Sequence, residues 1–557
     1  MPSSPSLRIT FALILVSIAP ILRAQTPVPA KSAAPLPSAE PLIVDVHPSP
    51  YRSVTGFRNN ISHQRFEMRD ATMLDMIAFA YEREDQAIVG GPSWVEFDRF
   101  DIAAKIASLE PPSFNAAPAP AGAPPANPYK AILPVIQRVL AERFHLVYHA
   151  EDRPLPGYVM TVAKDGLKLP DAKNPAAPNA CQVQQDKATP GHVTIACTSE
   201  TLAQFLSAYG RAYPHPVVDH TGLTKPYDFS LKLDFTQIRS QQDYVRYLTD
   251  AFNKQLGLVV APGVVPQSAI VIDSVDRTPT PNAPDIAKQI PAMPDLEFEV
   301  ATIHLSAPND PQWNIRPTGT EITFYGFTEQ DLIVRAWRLP TGAMLGNIPP
   351  WINEVKYTIL VKLPPDLDGR AIYQNLDQMD QMLQKLVVDR FHLQYHWGEQ
   401  KQDGYVLLPG TPKMKKANPA SRSFCKEGPP EGEKDLRTLP EAAFDREFHC
   451  QNVTMAQFAD RIQPFANSEV KNRVPDRTAL TGAYDFTLYY TTVRTLRTQT
   501  TAAADAAKQA GDAIPEPVAG IGLEDAFRKQ LGLRLEKQPL TLPAFVIDHI
   551  DQTPTVN

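Results

Sequence analysis

Seven consecutive residues, Arg143 to His149 (RFHLVYH), return as Arg390 to His396 (RFHLQYH) with one change. The match runs on in both directions. Thr72 to Tyr81 parallels Thr328 to Trp337, and Gly157-Tyr158-Val159 parallels Gly404-Tyr405-Val406. Asp219 to Phe229 parallels Asp476 to Phe486, Ala251 to Leu258 parallels Ala526 to Leu533, and Val271 to Thr280 parallels Val546 to Thr555. The offset grows from 247 residues (143 to 390) to 275 (271 to 546), so loops of unequal length separate blocks of fixed order. Solenoid and propeller repeats have periods of roughly 20–50 residues. This chain instead carries one large domain twice: copy one over 42–277, a linker over 278–294, and copy two over 295–552.

Hydrophobic spacing gives the elements of a copy. Thr72 is a good N-cap, and Leu74, Ile77, Ala78 and Tyr81 follow it at helical spacing. Ile132, Val135, Ile136, Val139 and Leu140 mark a second helix, repeated by Met379, Met382, Leu383, Leu386 and Val387. Pro134 predicts that this helix begins near that residue. The RFHL stretch alternates. Phe144, Leu146 and Tyr148 are expected on one face of a strand and His145, Val147 and His149 on the other, with 157–164 as the return strand of a hairpin. Strands also read over Tyr227 to Asp234, from Val259, and over Ala269 to Val275; a helix over Tyr244 to Leu256 stops at Gly257. Short connections favour antiparallel pairing. The expected fold class is α+β, two tandem modules with mainly antiparallel sheets. Each divides near 165–191 into two sub-lobes of βαβ type.

Composition bounds the setting. Proline is abundant at 56 residues, and the net charge of −7 is mixed in sign along the chain, so no basic footprint for nucleic acid is present. Arg8, the apolar run Ile9 to Leu22 and the small Ala24 read as a signal peptide over 1–24, followed by a Pro/Ala linker over 25–41. The expected location is periplasmic or secreted, with no membrane span after signal cleavage. Each copy holds two cysteines at equivalent places, Cys181 and Cys197, then Cys425 and Cys450. In an exported chain that reads as one disulfide per copy, each worth about 3 kcal/mol. Four free thiols or a four-Cys metal site is the other reading, without the spacing of zinc ligands. The stretches 107–128 and Thr491 to Gly520 read as loops, the latter as disordered.

Motifs of chemistry are sparse. His145 with His149, and His392 with His396, could each supply two metal ligands, but no His-Glu-x-x-His accompanies them. The other reading is histidines packing on the neighbouring helix. Asp219 and Asp476 precede a Thr and suit a turn held by their side chains. Trp94 and Trp351 read as core anchors. No nucleophile elbow and no phosphate loop is present. No catalytic residue, metal site or cofactor is assigned.

The blocks Gly90 to Trp94, Asp101 to Lys105, Arg143 to His149, Tyr158, Asp219 to Leu223, Tyr227 to Phe229, Gln255 to Leu258 and Val271 to Asp273, in this order, resemble a paralogous family. Its members are exported acidobacterial proteins with a domain of unknown function. Copy two departs at Asn347 and Ile348, at Thr358 and Val361, and at Ala479. In that family the domain is also fused to membrane metallopeptidase receptors of the beta-lactam-sensor type; this chain shows no such region. More loosely, Thr201 to Phe205, Val217 to Asp219 and Leu256-Gly257-Leu258 resemble the short N-terminal interaction domain of secretins and TonB receptors. The resemblance implies compartment and fold, not a reaction. The expectation is a non-catalytic binding protein of the cell envelope with an envelope or extracellular protein partner. The alternatives are a metal-dependent hydrolase and a soluble sensor component partnering a membrane receptor.

Overall fold

The computed structural model describes residues 41–50, 56–62, 64–106, 130–185, 191–210, 213–236, 241–292, 296–310, 313–339, 345–364, 376–419, 421–429, 437, 444–498 and 520–555. The expected signal segment, the N-terminal linker up to residue 40 and the loop 107–128 lie outside them.

Copy one runs β1 (Val44–Pro48), β2 (Arg58–Ser62), β3 (Arg65–Thr72), α1 (Met73–Tyr81), β4 (Ile88–Gly90), β5 (Arg99–Lys105), α2 (Leu133–Arg143) and β6 (Val147–Val162). It continues with β7 (Ala180–Gln185), β8 (His192–Glu200), α3 (Leu202–Tyr209), β9 (Val217–Asp219), β10 (Tyr227–Asp234), α4 (Gln241–Ala251) and β11 (Leu258–Ser274). From β2 to β6 and again from β7 to β11 the order is the same, ββαββαβ. Each half folds a small antiparallel sheet, β1-β5-β3-β2 in the first and β10-β8-β7 in the second. The final strands of the two halves leave their own lobes and pair with each other. β6 and β11 are antiparallel from Val147↔Ser274 to Val162↔Leu258. At 3.2–3.4 Å per residue this ribbon is about 50 Å long.

The two lobes exchange the ends of that ribbon. β4 of the first lobe adds in parallel to the far end of β11, at Ile270 to Ile272. β9 of the second lobe adds in parallel to the far end of β6, at Tyr158 to Met160. Ile270 and Ile272 are buried in the first lobe's core; Met160, Leu258 and Val260 are buried in the second's. The expected hairpin over 157–164 is therefore absent. Residues 147–162 are one strand, and its partner lies about 100 residues onward, in the second half. A short apolar-alternating stretch cannot by itself reveal a partner so distant in sequence.

Copy two repeats the plan. After the helical turn α5 (Ile286–Gln289) come β12 (Val300–Leu305), β13 (Asn314–Thr318), β14 (Glu321–Phe327), α6 (Glu329–Ala336), β15 (Leu345–Gly346), β16 (Tyr357–Lys362), α7 (Leu376–Phe391) and β17 (Gln394–Leu408). Then follow β18 (Lys415–Lys416), β19 (Phe424–Glu427), β20 (Arg446–Thr454), α8 (Met455–Phe465), β21 (Ala483–Tyr490), α9 (Leu523–Ala526) and β22 (Arg534–His549). The sheets are β12-β16-β14-β13 and β18-β21-β20-β19, and β17 pairs with β22 from Gln394↔His549 to Leu408↔Arg534. The fold is α+β with mainly antiparallel sheets, as expected, but the repeat occurs at two levels. The expected linker is not loose throughout: Ile286 and Ile290 are buried, and Asn282 bonds to β1 through Val46 N at 3.0 Å. In the expected disordered loop after Thr491, residues 493–498 are helical, and 499–519 lie outside the described residues.

One local device recurs in all four lobes. The strand before the first helix breaks register at a residue with positive φ: Asp70, Ser199, Gly326 or Asn452. Two residues on, Thr72, Thr201, Thr328 and Thr454 each close a capping box with the residue at N3. In three lobes a neighbouring-strand aspartate accepts the freed amide: Asp101 from Asp70 N at 2.9 Å, Asp228 from Ser199 N at 2.8 Å and Asp485 from Asn452 N at 2.8 Å.

Gly257 ends α4 and its π-helical extension with φ 69. A Cβ there would collide with the Gly166 carbonyl oxygen and stand 2.8 Å from the Lys168 nitrogen. Gly222 also has φ 72 but open space around it, and copy two already carries Ala479 there with φ 54. Gly257→Ala is expected to lose about 3 kcal/mol through backbone displacement, and Gly222→Ala only about 1 kcal/mol from the left-handed conformation. Urea unfolding of the two variants checks the contrast.

Candidate functional site

The histidines sit where the ribbon leaves the first lobe. His145 is not on a strand. It takes φ 48 at the end of α2, where the aligned residue of the second lobe is Gly257, and His392 takes φ 49 in copy two. A left-handed residue closes the helix and releases the chain into the ribbon. His149 and His396 lie on β6 and β17. The end of the opposite ribbon strand supplies a carboxylate to each. His145 Nδ1 donates to Asp276 at 2.8 Å and His149 Nδ1 to Asp273 at 2.9 Å. His392 Nδ1 donates to Asp551 at 2.7 Å and His396 Nδ1 to Asp548 at 2.9 Å.

A carboxylate can only accept, so each Nδ1 carries the proton and each Nε2 is left as an acceptor, if the ring is neutral. His549 also donates to Asp551, and the two imidazoles hold that carboxyl below the usual range. Among the described residues no group of three or more His, Cys, Asp or Glu side chains could hold a metal ion. These pairs, with the backbone bond from Asp276 N to Phe144 O at 2.8 Å, latch the two strands of the ribbon together.

The remaining sequence candidates have structural places. Asp219 accepts from Thr221 N at 2.8 Å, and Asp476 from Thr478 N at 2.9 Å. Trp94 is buried in the first core, and Trp351 packs against the first core of copy two. Cys181 pairs with Cys197 and Cys425 with Cys450, in each case between residues directly opposite on adjacent strands.

A broad concavity falls elsewhere. A cleft of about 990 Å³ lies between the lobes of copy two, at the upper end of the 300–1,000 Å³ of small-molecule sites. One wall is the end of α6 with α7, the other is α8 with residues 471–476. The floor is the ribbon at Trp397, Gln402, Asp403 and Leu542, and Pro50 of copy one stands at its edge. Along the α7 wall runs a chain of ion pairs. Asp380 accepts from Arg335 and Arg338, Asp377 pairs with Arg338 at 2.8 Å and with Arg58 of copy one, and Arg58 reaches on to the fully buried Asp70 at 2.7 Å. Burial pushes Asp380 up, to about 7, against the opposing pull of Arg335.

The two copies clasp beside this cleft. Arg422 pairs with Glu96 and donates to Asp85 O at 2.8 Å; Arg461 donates to Glu96 O at 2.7 Å and lies 5.2 Å over the Phe97 ring.

A family model described as "Protein of unknown function (DUF3738)" matches residues 74–275 and again 330–550. The chain belongs to this family. No curated protein and no solved structure matches it. The two matched segments span both lobes of each copy, so both levels of repetition lie within the family domain.

Sequence reasoning passed over the cleft because it followed what the copies share. Many of the cleft residues differ between the copies, although Ala336, Gln384, Ala456, Val474 and Asp476 are the same in both. In the register set by the ribbon and helices, Trp397 replaces Ala150, Gln402 replaces Leu155 and Asp403 replaces Pro156. Likewise Asp380 replaces Leu133, Gln463 replaces Gly210 and Arg473 replaces Pro216. At these six positions small or apolar residues of copy one become polar, charged or aromatic in copy two, while Leu542 and Pro543 stand where copy one has Gln267 and Ser268.

A second divergence is Glu329, which stands where copy one has Met73. It is fully buried, and neither carboxylate oxygen has a hydrogen-bond partner. Burial pushes it up to about 8, only partly offset by the nearby Tyr357 hydroxyl. A raised acid binds its proton more tightly folded than unfolded, so its stability is present below about pH 4.5 and is lost as pH rises towards 8. Glu329→Met is expected to remove that fall, worth on the order of 3 kcal/mol at pH 8.5. Denaturant midpoints of both proteins from pH 5 to 8.5 check it.

Proposed function

We propose that this is an exported, non-catalytic binding protein of the cell envelope whose ligand site is the cleft of copy two. Copy one serves as its structural buttress. The observation that carries this reading is the divergence just described. A duplicated fold keeps its scaffold residues in both copies, and here the floor and parts of both walls of one cavity change residue class between the copies. The buttress role rests on Arg58, which extends the ion pairs of the α7 wall into copy one, and on the clasp at Glu96.

Export is supported by the two disulfides, which persist in oxidising compartments, and by the signal-like composition of 1–24. No helix among the described residues is long and apolar enough to cross a membrane. Action as a soluble sensor component is compatible with the same cleft, its bound state then being what a receptor reads. A metal-dependent hydrolase is the weaker alternative, because each histidine is matched by one carboxylate across the ribbon.

Ala456 is an exposed α8 residue lining the cleft, and Ala203 is its exposed counterpart on α3 of copy one. Ala456→Trp should fill the cleft at no core cost, with Ala203→Trp as the matched control. Native mass spectrometry of residues 25–557 after incubation with an envelope-derived glycan and metabolite pool is expected to show an adduct. It should be lost in Ala456→Trp and kept in Ala203→Trp. Equal adducts in both variants would remove the cleft from the reading.

A further inference from the structure

We infer that the cleft of copy two takes a neutral, hydroxyl-rich ring ligand, a short oligosaccharide; this rests on the binding reading above. The first argument is charge. Most ionic groups of the lining are already matched; Asp403 and Lys471 are the exceptions. Asp377 and Asp380 are held by Arg338 and the arginines beside it, and Arg473 grips Asp460 with bonds of 2.6 and 3.0 Å. Asp476 is spent on its turn, and Lys471 Nζ donates to Asn467 O at 2.6 Å. The lining sets Arg338, Lys471 and Arg473 against Asp377, Asp380, Asp403, Asp460 and Asp476, an excess of carboxylates that disfavours a phosphate or carboxylate ligand.

The second argument is what remains uncommitted. Among the described residues the Gln402 amide and the Asp403 carboxylate have no side-chain partner, and Gln384 spends its NH2 on Ala336 O at 2.8 Å but keeps its amide oxygen. A planar amide offers one donor pair and one acceptor, and a carboxylate two acceptor oxygens. Such groups suit vicinal hydroxyls, each of which donates and accepts.

The third argument is the indole. Trp397 is 54 % exposed, a large apolar surface left to water where copy one has Ala150. It is not loose: its ring meets Phe545 edge-on at 5.5 Å, and Phe545 stacks on Tyr395 at 4.4 Å. A fixed aromatic ring beside neutral hydrogen-bonding groups is complementary to a sugar, whose ring has an apolar C–H face and a polar rim. Leu542 and Pro543, also on the ribbon floor, extend the apolar surface beside it. A nucleotide would lack its phosphate counter-charge. A peptide adding as a strand to the outer edge of β22 would meet Pro539 and Pro543, which have no N–H to offer.

The test is isothermal titration of residues 25–557 with cellohexaose, maltohexaose, xylohexaose and chitohexaose, with AMP and a neutral tetrapeptide as comparators. The expected result is 1:1 binding of at least one oligosaccharide. Trp397→Ala should weaken it at least tenfold, Trp397→Phe less, and Ala203→Trp not at all. Thermal unfolding of Trp397→Ala within a few degrees of the parent confirms that the fold is intact. Absence of any oligosaccharide complex, or one indifferent to Trp397→Ala, overturns the proposal. If AMP or the peptide instead binds and is lost in Ala456→Trp, the saccharide class falls while the cleft reading stands. If no probe binds and Ala456→Trp also leaves the envelope adduct unchanged, both fall.

Discussion

The pairing of β6 with β11, and of β17 with β22, holds this protein together. Each ribbon strand begins in one lobe and ends in the other, where a short parallel strand from that lobe covers β6, β11 and β22 and a single parallel bridge, Leu407 to Asp476, meets β17. Neither lobe of a copy completes its core without a strand contributed by the other: Phe545 and Ile547 of β22 fill the first core of copy two, and Tyr405 and Leu407 of β17 the second. The contacts made by the ribbon ends lie far apart in sequence, so their loop-closure cost must be met before they add stability. Capping boxes and left-handed helix ends, which are local, define where each lobe releases its strand. The histidine–aspartate pairs then lock the ribbon at one end of each copy.

This construction also explains why the cleft exists. Two lobes strung on a ribbon of about 50 Å leave its waist uncovered on one face, between α6 and α7 on one side and α8 on the other. In copy one the waist carries Pro154, Leu155 and Pro156, and Gln86 of the first lobe and Gln267 of the ribbon both donate to Pro156 O, at 3.3 and 2.7 Å. In copy two the same stretch is Lys401, Gln402 and Asp403, with Trp397 near its lobe-facing end. The change is therefore from a waist protected by proline to one that presents hydrogen-bonding groups. Copy one adds rigidity from outside, because Arg58 is shared between its own Asp70 and Asp377 of copy two. Arg461, buried against Phe97, has its pKa lowered to about 10 by that burial and remains charged at neutral pH.

Much of this was legible in the residues. The α+β class, the duplication, the two disulfide pairs, the turn aspartates and the anchoring tryptophans all follow from pattern, because each depends on neighbours close in sequence or on a count. Period-2 alternation marks a strand without naming its partner, so it does not separate a hairpin at 157–164 from the long ribbon. Alternation runs through His145 and points to a strand there. Its left-handed φ is a helix-end property that the adjoining helix period signalled only weakly. The carboxylate partners were within reach of the sequence, since the two blocks that supply them both recur. The finer repeat of lobes within a copy was hidden, for only the Thr-x-x-Asp/Gln cap and the strand aspartate survive in it.

The sequence alone determines that this chain holds one domain twice, how its helices are capped, where its turns fall and which cysteines can pair. Those features depend on backbone propensity, apolar period and local side-chain bonds, all of them short-range. The tertiary structure alone decided that the final strands of the lobes exchange, and that Trp397, Gln402, Asp380 and Arg473 line one cavity. Those residues come from β17, α7 and the segment after α8, and only the register of a 16-residue strand against a distant partner sets their separation.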